Sequence, residues 1–211
     1  MKVTDKARPT STLRQMQILA WGLLVIAIAG LVGLLVVERH SADRAQATSG
    51  PIKASFGGPF TLIDAEGKAF SSQALEGKPY ALYFGFTRCG DVCPTTLSRL
   101  VKLRREAASD QALRIVFITI DPANDGPKEV GQYATLFAAP IIGLTGSKAQ
   151  IDQAKKQFGI FAEPVPNAPM GKQMMHTASV LLFDRSGGPA GLISPDDSDA
   201  EALAKMKKLV D

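Results

Sequence analysis

Cys89 and Cys93 are the only cysteines in the chain, and they lie together in the run Phe84-Gly85-Phe86-Thr87-Arg88-Cys89-Gly90-Asp91-Val92-Cys93-Pro94. A disulfide across so short a loop removes little unfolded-state entropy, so the pair is poorly suited to stapling a fold. It suits chelation or thiol–disulfide exchange, both of which use the thiolate. The three intervening residues exceed the two of a C-x-x-C redox motif. That wider loop permits chelation and still allows a disulfide if it bends. Of the two histidines, His40 abuts a long apolar run and reads as an interfacial residue. His176 precedes the apolar stretch Ser179–Asp184 and is the imidazole that can join the cysteines. Two thiolates and one imidazole form a soft three-donor set. It suits Cu(I), and Cu(II) when a fourth ligand or water joins. Structural zinc would require a fourth Cys or His, which the chain lacks. Met170, Met174 and Met175 lie just upstream of His176. Their soft thioethers read either as auxiliary Cu(I) ligands or as packing against the loop or a partner.

The elements around these residues alternate between strands and helices. Pro59–Asp64 and Ala69-Phe70 predict a hairpin around a Glu-Gly turn. Tyr80–Phe86 and Ile115–Ile120 are continuous apolar runs that read as buried strands. Between them, Pro94 to Ala108 has helical spacing, with Arg99, Arg104 and Arg105 expected on the wet side. Pro94 fits a first helical position. That places Cys93 near the N-cap, where free N–H groups favour a thiolate. Pro127 opens a helix to Ala138, Ile141–Leu144 is a short strand, and Ser147 caps a helix that Gly159 ends. Pro164 to Pro169 reads as an irregular loop. Ser179–Asp184 and Ala190–Ile193 form a last hairpin, and Ser198 or Asp199 caps a final helix through Val210. This order predicts an α/β thioredoxin-like fold with an added N-terminal β-hairpin, occupying residues 57–211.

Residues 18–37, Ile18 to Val37, contain no charge and match the ~20 residues needed to span a bilayer. Lys2, Lys6, Arg8 and Arg14 precede this run against Asp5 alone. The positive-inside bias predicts a cytoplasmic tail (1–17), a single transmembrane helix (18–37) with Trp21 as an interfacial anchor, and a stalk (38–56). The localisation expected is therefore the inner (cytoplasmic) membrane, single-pass, with the domain facing the periplasm. Ala45-Gln46-Ala47 resembles a signal-peptidase site, but the apolar run exceeds a signal core of ~7–15 residues. Residues 1–40 hold five Lys/Arg against two Asp/Glu, which explains most of the formal charge of +4. The basic balance thus reflects topology, and no nucleic-acid surface is expected.

Taken together, these residues resemble the Sco/SenC family of membrane-anchored copper proteins. The resemblance is carried by Gly57–Leu62, the run Tyr83–Pro94, Ile118–Pro122 with Asp125, Gly143–Gly146, and His176 ahead of its strand. It implies a thioredoxin fold with copper held by Cys89, Cys93 and His176. It also implies copper delivery to the binuclear copper centre of cytochrome c oxidase subunit II, with an upstream copper donor. A thiol-reductase role on the same centre's cysteines is implied as the alternative. Asp121 would then act near the site or in docking, or simply as a turn-capping aspartate. Gly90 stands where the family often has proline, and the approach to His176 lacks the aromatic residue often found there.

Three functions compete. The first is a copper-binding assembly factor, more a metallochaperone than an enzyme. The second is a thiol-disulfide oxidoreductase cycling Cys89 and Cys93. The third is a peroxidase of the peroxiredoxin type, which lacks the expected Pro-x-x-x-Thr/Ser-x-x-Cys context around Cys89. His176, and the absence of proline in Thr177-Ala178-Ser179 where a redox dithiol is usually shielded by a cis-proline, favour the first.

Overall fold

The computed structural model describes residues 56–107, 113–165 and 174–210, together with Met16 and Trp21. The chain divides into two units, Met1–Ile52 and Lys53–Asp211. In the first, Met16 and Trp21 are helical and exposed. The rest of the expected membrane segment lies outside the described residues, as do His40, the Ala45-Gln46-Ala47 site and the stalk up to residue 55. Among the described residues no helix is long and apolar enough to cross a membrane.

The second unit opens with the expected hairpin, β1 (Thr61–Ile63) against β2 (Ala69–Ser71). Its turn is held by Asp64, whose Oδ1 accepts from the N–H groups of Glu66 and Lys68 at 3.0 and 2.8 Å. Gly67 takes φ +76, a conformation that glycine adopts without steric cost. The hairpin is tied to the main sheet by reciprocal bonds between Ile63 and Thr145.

The main sheet contains β3 (Tyr80–Gly85), β4 (Arg114–Thr119), β5 (Ile141–Leu144), β8 (Val180–Phe183) and β9 (Pro189–Ile193), in the order β5-β4-β3-β8-β9. Strands β3, β4 and β5 are parallel, while β8 and β9 are antiparallel. All six residues of β3 are buried, which is why this central strand reads as an unbroken apolar run. Full burial of Leu82 and Phe84 contributes about 1.5–3 kcal/mol of apolar transfer each. The helices are α1 (Val92–Ala107), α2 (Pro127–Thr135), α3 (Lys148–Gln157) and α4 (Asp199–Val210). Helix α1 packs on α4, and α2 packs on β5.

Local sequence signals account for several helix ends. Ser147 and Gln150 form a reciprocal capping box at α3. Ser198, rather than Asp199, caps α4: its N–H donates to Glu201 Oε2 at 2.8 Å and its Oγ accepts from the Glu201 N–H at 3.3 Å. Gly159 follows α3 with φ +63, as a helix stop requires.

Three expectations are corrected. Arg104 is 1% exposed instead of wet, and its guanidinium donates to the Pro140 carbonyl at 3.1 Å, fastening α1 to the turn before β5. The first residue of the Pro-rich stretch, Pro164, ends a strand: β6 (Ala162–Pro164) pairs antiparallel with β7 (Met174–His176), while Val165 has no regular structure and residues 166–169 lie outside the described residues. Helix α1 begins at Val92, two residues before Pro94. Its first turn bond runs from the Thr95 N–H to the Asp91 carbonyl at 3.1 Å, and a proline inside the first turn removes only an N–H that has no helical partner.

Candidate metal centre

The loop Phe86–Asp91 joins the buried end of β3 to α1. Because α1 starts early, Cys93 is its second residue and is 0% exposed, while Cys89 in the loop is partly exposed. The Cys93 N–H donates to Cys89 Sγ at 3.4 Å. The sulfur that faces the free N–H groups of the helix start is therefore that of Cys89. Burial pushes the Cys93 thiol up to about 12, opposed by the Phe86 backbone and the Tyr83 hydroxyl. The expectation that the helix start would favour a Cys93 thiolate is thus overturned: desolvation outweighs it.

A buried carboxylate sets the path of the loop. Asp125, 0% exposed, accepts from the Thr87 N–H at 2.9 Å, from the Thr87 hydroxyl at 2.6 Å and from the Thr119 hydroxyl at 2.6 Å. Arg88, the residue before Cys89, is ion-paired with Asp121. Asp121 also closes the turn after β4, where its carbonyl accepts from the Asn124 and Asp125 N–H groups. It therefore acts on the cysteine loop through Arg88 and caps a turn as well.

His176 ends β7, in register with Ala162 of β6. Its Nδ1 lies 2.9 Å from the Thr177 carbonyl. A carbonyl can only accept, so Nδ1 carries a proton, and in the neutral imidazole the lone pair is on Nε2. That Nε2 lies 3.6 Å from Cys93 Sγ. The imidazole is framed edge-on by the rings of Tyr83 and Phe86, with centroids at 6.3 and 6.0 Å. Gly85 leaves the room: a Cβ there would stand 2.9 Å from Cys93 Sγ and 3.1 Å from Tyr83 Cε1. The Tyr83 hydroxyl is buried, and burial raises it far above the usual tyrosine range.

A first-row metal ion fixes the span between a sulfur and a nitrogen that share it. Sulfur and nitrogen on bonds of about 2.3 and 2.0 Å, opened by a tetrahedral to trigonal angle, stand roughly 3.5–3.7 Å apart. The Cys93–His176 separation of 3.6 Å fits that span, and the lone pair is on the correct nitrogen. Among the described residues, which include Cys89, Cys93 and His176, no three His, Cys, Asp or Glu side chains are placed so that together they could hold a metal ion. Met174 and His176 share a face of β7 by strand alternation, and Met174 is half-buried against the core. Met175 points to the other face and is 59% exposed, and Met170 lies outside the described residues.

The family model described as SCO1/SenC matches residues 48–211. The chain belongs to the SCO1/SenC family. A SCO2-like protein of Rickettsia felis is 33% identical over 181 residues, covering 84% of this chain and 87% of that one. The structure of Bradyrhizobium japonicum ScoI with copper bound is 34% identical, with a TM-score of 0.65, and covers 73% of this chain and 99% of that chain. BsSco, described as having a disulfide switch and as one of the Sco cytochrome c oxidase assembly proteins, is similar in fold. Its TM-score is 0.58 at 24% identity, over 74% of this chain and 94% of that one. In this SCO1/SenC chain, the cysteine loop and the histidine ribbon converge on one side of Tyr83. Reading the sequence did not assign roles to Tyr83, Phe86, Gly85 or Asp125. The available signal was the two-residue spacing of Tyr83 and Gly85, which puts both on the same face of β3.

Proposed function

We propose that this chain binds copper through Cys89, Cys93 and His176 and delivers it to the binuclear copper centre of cytochrome c oxidase subunit II, or to another copper acceptor, after loading from an upstream donor. The observation that carries the reading is the 3.6 Å approach of His176 Nε2 to Cys93 Sγ, with Nδ1–H committed to the Thr177 carbonyl. A carbonyl that fixes the tautomer of a ligating histidine is the usual outer support of a metal site. The copper-bound state of a relative 34% identical supports the choice of metal. Copper is the cargo here. The chain's own part is to present two soft sulfurs and one imidazole, with Cys93 shielded from water and Cys89 accessible to a partner. The charge bias around residues 18–37 supports a single-pass anchor in the cytoplasmic membrane with the copper domain on the periplasmic side.

One observation favours the thiol-disulfide oxidoreductase reading. An accessible Cys89 beside a buried Cys93 is the asymmetry of an attacking thiol and a resolving thiol. His176 distinguishes the two, because an imidazole completes a coordination shell but takes no covalent part in exchange. Cells carrying His176→Ala should lose oxidase activity as fully as cells carrying Cys89→Ser, with partial rescue by added copper. A His176→Ala strain with normal oxidase and normal protein level would overturn delivery and leave the reductase.

A further inference from the structure

Phe86 is the first residue after β3 and is 4% exposed. Its backbone is fixed on both sides. The Gly85 carbonyl before it accepts from the Ile120 N–H at 2.8 Å, and the Thr87 N–H after it donates to Asp125 at 2.9 Å. Its own carbonyl accepts from the Cys89 N–H at 3.2 Å, which closes the turn that sets the first cysteine. Its ring meets the His176 imidazole edge-on, with centroids 6.0 Å apart and planes at 84°. One residue thus touches the cysteine loop through its backbone and the histidine through its side chain.

His176 has few other means of finding the cysteines. It ends β7, and the β6–β7 ribbon is a two-stranded sheet that shares no ladder with the main one. Such a ribbon is marginally stable by itself. The Nδ1 bond goes to the carbonyl of the next residue, Thr177. It turns the imidazole relative to its own strand but does not fix its distance from the cysteine loop. That distance depends on what the imidazole packs against. Tyr83 supplies one ring from within β3, and Phe86 supplies the ring that belongs to the loop itself.

We propose that Phe86 is a positioning residue that registers His176 against the cysteine loop, its ring edge holding the imidazole where it can complete the copper site. The inference rests on reading His176 as a copper ligand. Its consequence is selective for oxidation state. Two thiolates satisfy soft Cu(I), whereas Cu(II) draws more on the imidazole. Loss of the ring edge therefore weakens Cu(II) binding more than Cu(I) binding, which a purely structural role for a buried phenylalanine does not do.

Phe84 is the comparator. Its ring is 0% exposed and packs 5.7 Å from that of Phe158, with no His176 contact among the described ring pairs. Phe84→Leu and Phe86→Leu remove the same buried ring atoms, and both should lower the melting temperature of the metal-free protein. The experiment uses the full-length reduced protein in detergent under anaerobic conditions. Cu(I) and Cu(II) are each titrated against a competing chelator, and the His176 ring signals of the metal-free protein are followed by NMR. Phe86→Leu should weaken Cu(II) about tenfold, as loss of an outer support of a ligating histidine does. It should leave Cu(I) within about twofold of the parent, and it should shift the His176 signals. Phe84→Leu should leave both affinities within about twofold of the parent and the His176 signals unmoved. In the unsubstituted protein, a nuclear Overhauser contact should join the Phe86 and His176 rings, a result that needs no variant to fold. Absence of that contact, unchanged Cu(II) affinity in Phe86→Leu, equal loss of both ions, or the same Cu(II) loss in Phe84→Leu overturns the role of Phe86. Parental Cu(II) affinity in His176→Ala would instead overturn His176 as a ligand, and that failure is read from a separate sample.

Discussion

Asp125, in the segment that follows β4, accepts both the backbone N–H and the hydroxyl of Thr87, at 2.9 and 2.6 Å. Through these two bonds a buried carboxylate outside the loop fixes where the loop leaves β3, two residues before Cys89. The Thr119 hydroxyl donates to the same group at 2.6 Å, so three donors depend on one side chain. Asp125→Ala should destabilise the domain by about 2–4 kcal/mol, because it strands buried donors as well as deleting an interaction. Urea unfolding measures the loss. Copper retention should fall with it, and a variant of near-parental stability would contradict this role of Asp125.

Gly85 is required by close approach, since its backbone is not in the left-handed region. In Gly85→Ala the new methyl would meet Cys93 Sγ at 2.9 Å, Phe117 Cε2 at 3.0 Å and Tyr83 Cε1 at 3.1 Å. Overpacking of this kind costs about 1–3 kcal/mol. The sulfur is the neighbour at the shortest distance, so its displacement should also loosen copper binding. Thermal unfolding and copper titration of the same variant test both effects.

The two cysteines should react unequally in the reduced, copper-free protein. Cys93 is fully buried and its thiol is pushed up to about 12, so it stays neutral at physiological pH. Cys89 is partly exposed. Brief alkylation at about pH 7.5 should label Cys89 alone, as located by peptide mass spectrometry. Labelling of Cys93 should grow as pH rises toward its high value, since only the thiolate reacts. Equal early labelling would contradict the burial of Cys93.

Acid should weaken the β8–β9 turn through Asp184. Its carboxyl is held below the usual range, first by the Ser186 hydroxyl and then by the Gly188 N–H, with bonds of 2.6 and 2.9 Å to Oδ1. A carboxylate with a depressed folded-state value stabilises the fold fully above the ordinary Asp range. That contribution is lost as pH falls through the depressed value. The effect is small because the group faces solvent. Asp184→Asn should lower the melting temperature at neutral pH and converge on the parent as pH falls through the depressed value of the Asp184 carboxyl. A gap between the two that persists at low pH would exclude this linkage.

Much of the framework was legible in the residues themselves. The Glu-Gly hairpin, the buried runs of β3 and β4, the Ser147 cap and the Gly159 stop are local effects, set by side chains within a few positions of one another. The cysteine pair between a strand and a helix was legible for the same reason, as was its soft-donor chemistry. The tertiary structure alone decided what packing controls. Cys93 and His176 are 83 residues apart and meet only because β3, α1 and the unforeseen β6–β7 ribbon converge. The early start of α1 turned the helix end toward Cys89 and buried Cys93, so desolvation outweighed a dipole effect that sequence position had suggested. Arg104 was drawn inside because the Pro140 carbonyl lay within reach of its guanidinium. Periodicity names a face of a helix or strand, but the partner on that face is chosen by distant segments, and burial, tautomer and hydrogen-bond partner are properties of that choice.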